Sequence, residues 1–361
     1  DEGTKVKAPD SLLGQAARRL NPRYRLIASA TPVKNRIQDL FFLLWWIAGG
    51  HKNRHEGFPY NATGQASFAR MYVTQARNRT LASQAAKRNG YYRAYVRPTA
   101  QVCNLPGLWK LVAPYLLRRR KDEIAGIVPK HDHRILVPMG EEQAQVYGEL
   151  LRRQWSDCNG QPATFAKLQA LRLAAVAPHA KTLSVRARSP QTPKLAGILD
   201  VVRQVIAAGD PIVVFSAFHA ATDMIAAQLP GARTLDGRNT PKERARVAAE
   251  FAAGKFQILL AGDNSMGFGF NFAHCSHVVC TSPEWPLDIS EQPPDRCHRL
   301  TSKRDVHVYS FICEGTIEAA VERLLREKRL SAQFFLDPEQ EMRPEPGRLL
   351  ALAAAEIERK Q

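Results

Sequence analysis

The sequence predicts an α/β chain in which a lobe built on an open parallel sheet follows a long helical region. Three observations carry that reading. From residue 194 onward, amphipathic helical stretches alternate with short, wholly apolar runs, the order expected of a parallel sheet with crossover helices. Those runs are rich in Val, Ile and Leu and continuous rather than alternating, as strands covered on both faces are. Upstream, residues 57–121 contain no Asp or Glu and twelve Lys or Arg, which marks a region of different character.

In chain order, Leu12–Leu20 reads as a helix, and Tyr24–Pro32 as a buried strand ending in Ser29-Ala30-Thr31-Pro32. The hydroxyls of Ser29 and Thr31 would sit at the strand's C-terminal edge, where α/β sheets place ligand contacts. The carboxylate-free stretch 57–121 includes Arg118-Arg119-Arg120-Lys121, with Phe68, Tyr72, Tyr91, Tyr92, Tyr95, Trp109 and Tyr115 interleaved. Folded surfaces usually mix charge signs, so this stretch reads as a helical, phosphate-facing insertion. A basic face toward an acidic protein partner is the alternative. An extended, proline-bounded linker (126–139) follows, and then helices from Glu141 to about Ala187, closed by a break at Ser189–Pro193.

The sheet-bearing lobe begins with a helix over Lys194–Ala207, whose Leu195, Ile198, Leu199, Val202 and Ile206 form one stripe. Strand Pro211–Ser216, helix Ala220–Leu229, helix Pro241–Ala253 and strand Phe256–Leu260 continue the alternation. A strand at His277–Thr281, a short helical segment, a last strand at Val306–Ile312 and a closing helix from Gly315 to about Ala332 complete it. The tail beyond Pro338 receives no function.

The net charge of +17 and pI of about 9.9 favour a polyanionic partner, nucleic acid being the commonest; a merely basic enzyme is the bland alternative. Six scattered cysteines without a Cys-x-x-Cys pair argue against a zinc ribbon or a disulfide framework and fit a reducing cytosol. His274-Cys275-Ser276-His277 reads as loop and strand entry rather than a metal site. No apolar run approaches the ~18 residues that a membrane span requires. The expected location is cytoplasmic, with a bacterial or phage-like origin. The chain opens at Asp1 without Met, so sequence is expected to precede it.

The chemistry concentrates between Leu259 and Arg299. A strand runs into Gly267-Phe268-Gly269-Phe270-Asn271; Pro283-Glu284-Trp285-Pro286 follows the next strand; and Gln292-Pro293-Pro294-Asp295-Arg296-Cys297-His298-Arg299 closes the stretch. Residues three apart on a helix share a face, so Arg296 and Arg299 are expected to point two planar, permanent charges at one target, which suits a polyphosphate. An ordinary solvated arginine pair is the bland reading.

Together these segments resemble motifs V and VI of superfamily-two helicases, and most of all the Swi/Snf-type DNA translocases. Asp1-Glu2 sits where that family has motif II, Ser29–Pro32 at motif III, Pro211–Ser216 at motif IV, and Asn35-Arg36 through Leu44 at a family helix. Tyr115–Ile124 resembles the Leu-Arg-Arg-x-Lys segment, and Gln143 and Tyr147 fall at the family's Gln-x-x-x-Tyr positions. The resemblance covers roughly residues 1–335.

It implies a DNA-dependent ATPase with ATP between two RecA-like lobes. Residues 1–48 would be the end of the first lobe, 49–190 a helical insertion with the linker, 191–335 the second lobe and 336–361 a tail. Asp1 would hold Mg²⁺ on ATP, and Glu2 would polarise the attacking water. Arg296 and Arg299 would neutralise the transferring phosphoryl, with Gln292, Gly267, Gly269 and Asp295 lining the nucleotide. Ser29, Thr31, Ser216, Asn271, Arg118, Arg119, Arg120 and Lys121 would meet double-stranded DNA. Protein partners in a remodelling, repair, restriction or phage-related complex follow from the same resemblance.

Three positions depart from the family pattern. Met266 replaces a motif V glycine, Leu300-Thr301-Ser302 follows motif VI, and Pro293-Pro294 falls inside a family helix, where the expectation is that a new helix begins. No Gly-x-x-x-x-Gly-Lys-Ser/Thr phosphate loop occurs in the 361 residues. The chain therefore reads as a piece starting at motif II. A degenerate, non-catalytic nucleic-acid-binding module is the alternative.

Overall fold

The computed structural model describes residues 3–6, 11–20, 22–29, 39–48, 54–55, 58–59, 62–74, 101–102, 104–117, 119, 121–154, 163–262, 270–284, 287–323 and 325–326. They fall into two compact units whose boundary in sequence lies between Arg118 and Arg119. None of the described helices is long and apolar enough to cross a membrane.

The first unit is helical. Helix α1 (Leu12–Arg19) is capped by Ser11, whose Oγ accepts the Gly14 N–H at 3.0 Å. Helix α2 (Asp39–Ile47) is apolar on nearly every side and is correspondingly buried. Its Leu40, Phe41 and Leu44 pack against Phe68 and Tyr72 of α3 (Ala62–Tyr72) and Leu108, Leu111 and Val112 of α4 (Leu105–Val112). Phe68 is the hub, with ring centroids 5.5 Å from Phe41 and 4.9 Å from Tyr72. Two short antiparallel ribbons accompany these helices: β1 (Arg54–His55) with β2 (Phe58–Pro59), and β3 (Val73–Thr74) with β4 (Gln101–Val102).

The expected buried strand from Tyr24 is not formed over residues 22–29, which have no regular structure. Tyr24 is 79% exposed and Leu26 88%. A strand needs neighbours to take its N–H and C=O groups, and no described strand pairs with this one.

The second unit is the expected α/β lobe. Its six-stranded sheet is parallel throughout, in the order β5 (Lys130–Val137), β10 (Val306–Cys313), β9 (His277–Cys280), β6 (Ile212–Ser216), β8 (Ile258–Gly262), β7 (Arg233–Leu235). Successive side chains point to opposite faces. Ile212, Val214, Ile258, Leu260 and Val279 enter one core with α7 (Pro193–Ala207) and α8 (His219–Ala226). Val213, Phe215, Leu259, Ala261 and Val278 enter the other with α9 (Pro241–Ala252). Both long helices start on a threonine cap followed by proline: Thr192 accepts the Leu195 N–H at 3.0 Å, and Thr240 forms a reciprocal capping box with Glu243.

The linker expectation is corrected at Lys130–Val137. This segment is a full edge strand, paired with β10 from Val306↔Lys130 to Cys313↔Val137. Its side chains complete a stack of rings across three strands. The His133 ring centroid lies 5.0 Å from Tyr309, and His277 lies 5.4 Å from His307. His133 Nε2 and His307 Nδ1 are 3.0 Å apart.

A second layer consists of α5 (Glu141–Arg152) and α6 (Ala163–Val176), packed as one cluster with Cys313 and Ile317. The expected helical run to Ala187 stops at Val176, two residues before Pro178. Gln143 and Tyr147 tie this layer together. The Gln143 amide donates to the carbonyls of Ala174 and Ala175, and the Tyr147 hydroxyl accepts the Ile317 N–H at 2.8 Å.

Candidate functional site

Strand β6 brings one expected second-lobe residue, Ser216, to the C-terminal edge of the sheet, where ligands of open α/β sheets bind. Ser216 ends β6 and is buried. Its hydroxyl donates to the Phe218 carbonyl and accepts the Phe218 N–H, each at 3.3 Å, so it shapes the turn into α8. Asn271 is exposed, and its Oδ1 accepts the Ala273 N–H at 3.1 Å. After β7, the buried Asp236 accepts bonds from the Arg238 N–H and guanidinium and lies 3.2 Å from His219 Nδ1. Burial alone would raise the Asp236 carboxyl, but those Arg238 bonds hold it below the usual range.

The expected shared helix face of Arg296 and Arg299 is corrected. Helix α10 (Leu287–Asp295) runs through Pro293 and Pro294 and stops one residue later, rather than a new helix starting at the prolines. Proline has no N–H, so the last turn tightens: Arg296 N–H bonds to Pro293 O at 3.1 Å and Cys297 N–H to Pro294 O at 3.0 Å. Both arginines therefore lie on the tight turn that follows α10. Each is half-buried, and the Arg299 Nε is buried without a hydrogen-bond partner among the described residues.

That turn is tied down on every side. Phe272 N–H donates to Arg296 O at 2.9 Å, Ser302 Oγ to Cys297 O at 2.6 Å, and Ser302 N–H to Arg299 O at 3.0 Å. The Arg299 N–H donates to Ser302 Oγ at 2.9 Å. His298 is buried and gives its Nε2 proton to Val128 O at 2.8 Å, which fixes its tautomer. Lys121 reaches the same turn, 2.7 Å from Asp295 Oδ1 and 3.1 Å from His298 O.

Past the C-terminal ends of β9 and β10 lies a buried ionic network that the sequence reading missed. Lys194, with no exposed surface, holds Glu318 at 2.5 Å and donates to Thr281 O at 2.9 Å; Glu318 also accepts the Cys313 N–H. Arg172 pairs with Glu284, four residues beyond the end of β9. Burial raises the pKa of both carboxyls, with Lys194 and Arg172 pulling the other way. The only sequence signal was a lysine set against the apolar stripe of α7.

Gln292 and Asp295 are half-buried on α10, and Arg119 is exposed at the start of the unit. Ser29 is half-buried in the irregular segment of the first unit. Asp1, Glu2, Thr31, Gly267, Gly269, Arg118 and Arg120 lie outside the described residues. Among the described residues no group of three His, Cys, Asp or Glu side chains is placed to hold a metal ion.

Known proteins resemble the chain along most of its length. The DNA repair and recombination protein RAD26 of Saccharomyces cerevisiae is 24% identical over 94% of this chain and 31% of its own length. The ISWI chromatin-remodeling complex ATPase CHR17 of Arabidopsis thaliana is 25% identical over 92% of this chain and 30% of its own. The chain thus spans less than a third of either relative. Among solved structures, the Sulfolobus solfataricus SWI2/SNF2 ATPase core in complex with dsDNA shares 20% identity at a TM-score of 0.45, over 91% of this chain and 66% of that one. The SNF2-related domain matches residues 1–177 and the helicase conserved C-terminal domain matches 195–301; the chain belongs to the SNF2 family.

Proposed function

We propose that the chain is part of a motor that hydrolyses ATP and moves along double-stranded DNA. The observation that carries this reading is the pinned turn at 296–299, which holds two half-buried arginines in place against the segments leading into β5, β9 and β10. A guanidinium held before the reaction begins can stabilise charge that grows on a transferring phosphoryl without having to reorganise. The Arg299 Nε, buried, has no hydrogen-bond partner among the described residues.

In this reading Arg296 and Arg299 serve the phosphates, and Gln292, Gly267 and Gly269 line the nucleotide. Asp1 and Glu2 take the metal and water roles; Mg²⁺ bound through the phosphates would offset their charge. The domain limits 1–48, 49–190, 191–335 and 336–361 belong to the same proposal. Duplex contact falls to the basic stretch 57–120, with Arg118–Arg120 at its end, and to Ser29, Thr31, Ser216 and Asn271. Partners in remodelling or repair assemblies follow the relatives' names.

The test is duplex-stimulated ATP hydrolysis by the intact protein, alongside duplex affinity against salt. The motor reading predicts stimulated turnover, while the 361-residue chain alone, lacking a phosphate loop, turns over no ATP. Reversing Arg118, Arg119 and Arg120 to Glu should flatten the salt slope, by about 0.9 for each lost phosphate contact. Duplex binding by an intact protein without any ATPase activity would favour the degenerate binding module instead.

A further inference from the structure

The arginine turn has two ties that come from far away in the sequence, the His298 side chain on Val128 O and the Lys121 ammonium on the backbone itself. The carbonyls of Arg296, Cys297 and Arg299 are satisfied by Phe272 and Ser302. The carbonyl of His298 is left, and its donor is the Lys121 ammonium, 177 residues upstream in the sequence. The same ammonium pairs with Asp295, the last residue of α10.

We propose that Lys121 is a positioning residue for Arg296 and Arg299, acting through Asp295 and the His298 carbonyl. The proposal rests on the reading of those arginines as phosphate-facing groups.

The physical case has three parts. A cation at a helix C-terminus offsets the partial negative charge of the last carbonyls and bonds to them directly. Here that help falls on a helix whose two terminal prolines supply no N–H to the preceding turn. Asp295 is also adjacent in sequence to Arg296, and a free carboxylate there would compete with a phosphate for a guanidinium. Pairing it with Lys121 removes that competitor. Finally, the lysine grips residues on both sides of Arg296, so its loss frees the backbone that aims both arginines. A pair with about two-fifths of each side chain exposed contributes little to overall stability, so its effect should fall on geometry.

This assignment differs from a DNA-contact role for Lys121, and the two are separable. In the intact protein, Lys121→Met and Asp295→Asn are each compared with the parent for ATP turnover at saturating duplex, KM for ATP, duplex affinity against salt and thermal midpoint. Misplacing a catalytic group by about 1 Å costs on the order of 10²-fold, so kcat should fall by roughly that factor in both variants while duplex affinity and its salt slope stay at parental values. The double variant should be no worse than the weaker single, because both break one tie. Lys121→Arg, which retains a donor and a charge, should recover most of the loss.

A salt slope shallower by about one, with parental kcat, would make Lys121 a phosphate contact and overturn the proposal. Parental kcat in Lys121→Met and Asp295→Asn, with Arg296→Ala and Arg299→Ala inactive, overturns it while leaving the arginine reading intact. Active Arg296→Ala and Arg299→Ala overturn both. Asp295→Asn is a near-isosteric change at a half-exposed site, so it remains decisive if Lys121→Met folds poorly.

Discussion

Residues 212–216 and 24–29 carry the same signal, an apolar run ending in serine, and have opposite fates. Ile212–Ser216 is buried at every position between β9 and β8. Tyr24–Ser29 forms no strand, and Leu26 stands in solvent. The difference lies in their neighbours. Strand β6 has a parallel partner on each edge and a helical layer on each face, whereas the other run has one described backbone bond, from Gly3 N–H to Ala28 O. Hydrophobic pattern gives a segment the capacity to be a strand, and pairing makes it one.

The comparison can be broken most severely from within the second unit. Lys194→Ala would leave Glu318 buried without its cation, and losing one partner of a buried pair costs about 3–5 kcal/mol. The thermal midpoint of the intact protein should drop by many degrees. A loss below about 1 kcal/mol would mean that the pair is solvated.

A direct test sets the two runs side by side. Ile212→Ala empties a fully buried site and should cost about 2–5 kcal/mol, whereas Leu26→Ala should stay within about 0.5 kcal/mol in the 361-residue chain. Equal losses would show that Leu26 is covered.

The same contrast explains what could be read from sequence. Strands β6, β8, β9 and β10 were legible because burial on both faces leaves mostly apolar residues, and their helices announce themselves with Thr-Pro starts. Strand β5 was not: as an edge strand it buries only Val137 fully and carries histidines and charges elsewhere, so it reads as a linker. At the site, the Arg-x-x-Arg spacing exposed the two arginines but not the turn that carries them. Lys121 and Lys194 looked like surface cations because their partners lie 177 and 124 residues further on. Sequence spacing reports local geometry, and these ties are tertiary.

The smallest expected effect concerns that edge strand. His307 is held below the ordinary histidine pKa, first by burial and then by the charges of His131 and His133 on β5, with Asp305 pulling up. His277 is likewise lowered by burial, against the upward pull of Asp210, which Arg304 also holds. In the fold both histidines therefore resist protonation that the unfolded chain accepts. Their contribution to stability is complete above a pH of about 6.5 and is lost as pH falls from there through their lower folded-state values. The thermal midpoint should decline over that window, and His307→Gln should flatten the decline. A midpoint that rises on mild acidification would reverse the assignment.

The central claim is that the turn after α10 presents Arg296 and Arg299 to the nucleotide phosphates. It is tested most directly by duplex-stimulated ATP turnover and duplex affinity measured together for Arg296→Ala, Arg299→Ala and the corresponding lysine substitutions in the intact protein. Loss of an arginine that stabilises the transition state costs on the order of 10³–10⁵ in rate, so turnover should collapse while duplex affinity holds. Lysine should restore little, because a point charge does not reproduce a planar fork. Turnover within a few-fold of the parent in both alanine variants would contradict the claim and make the binding-module reading the better one.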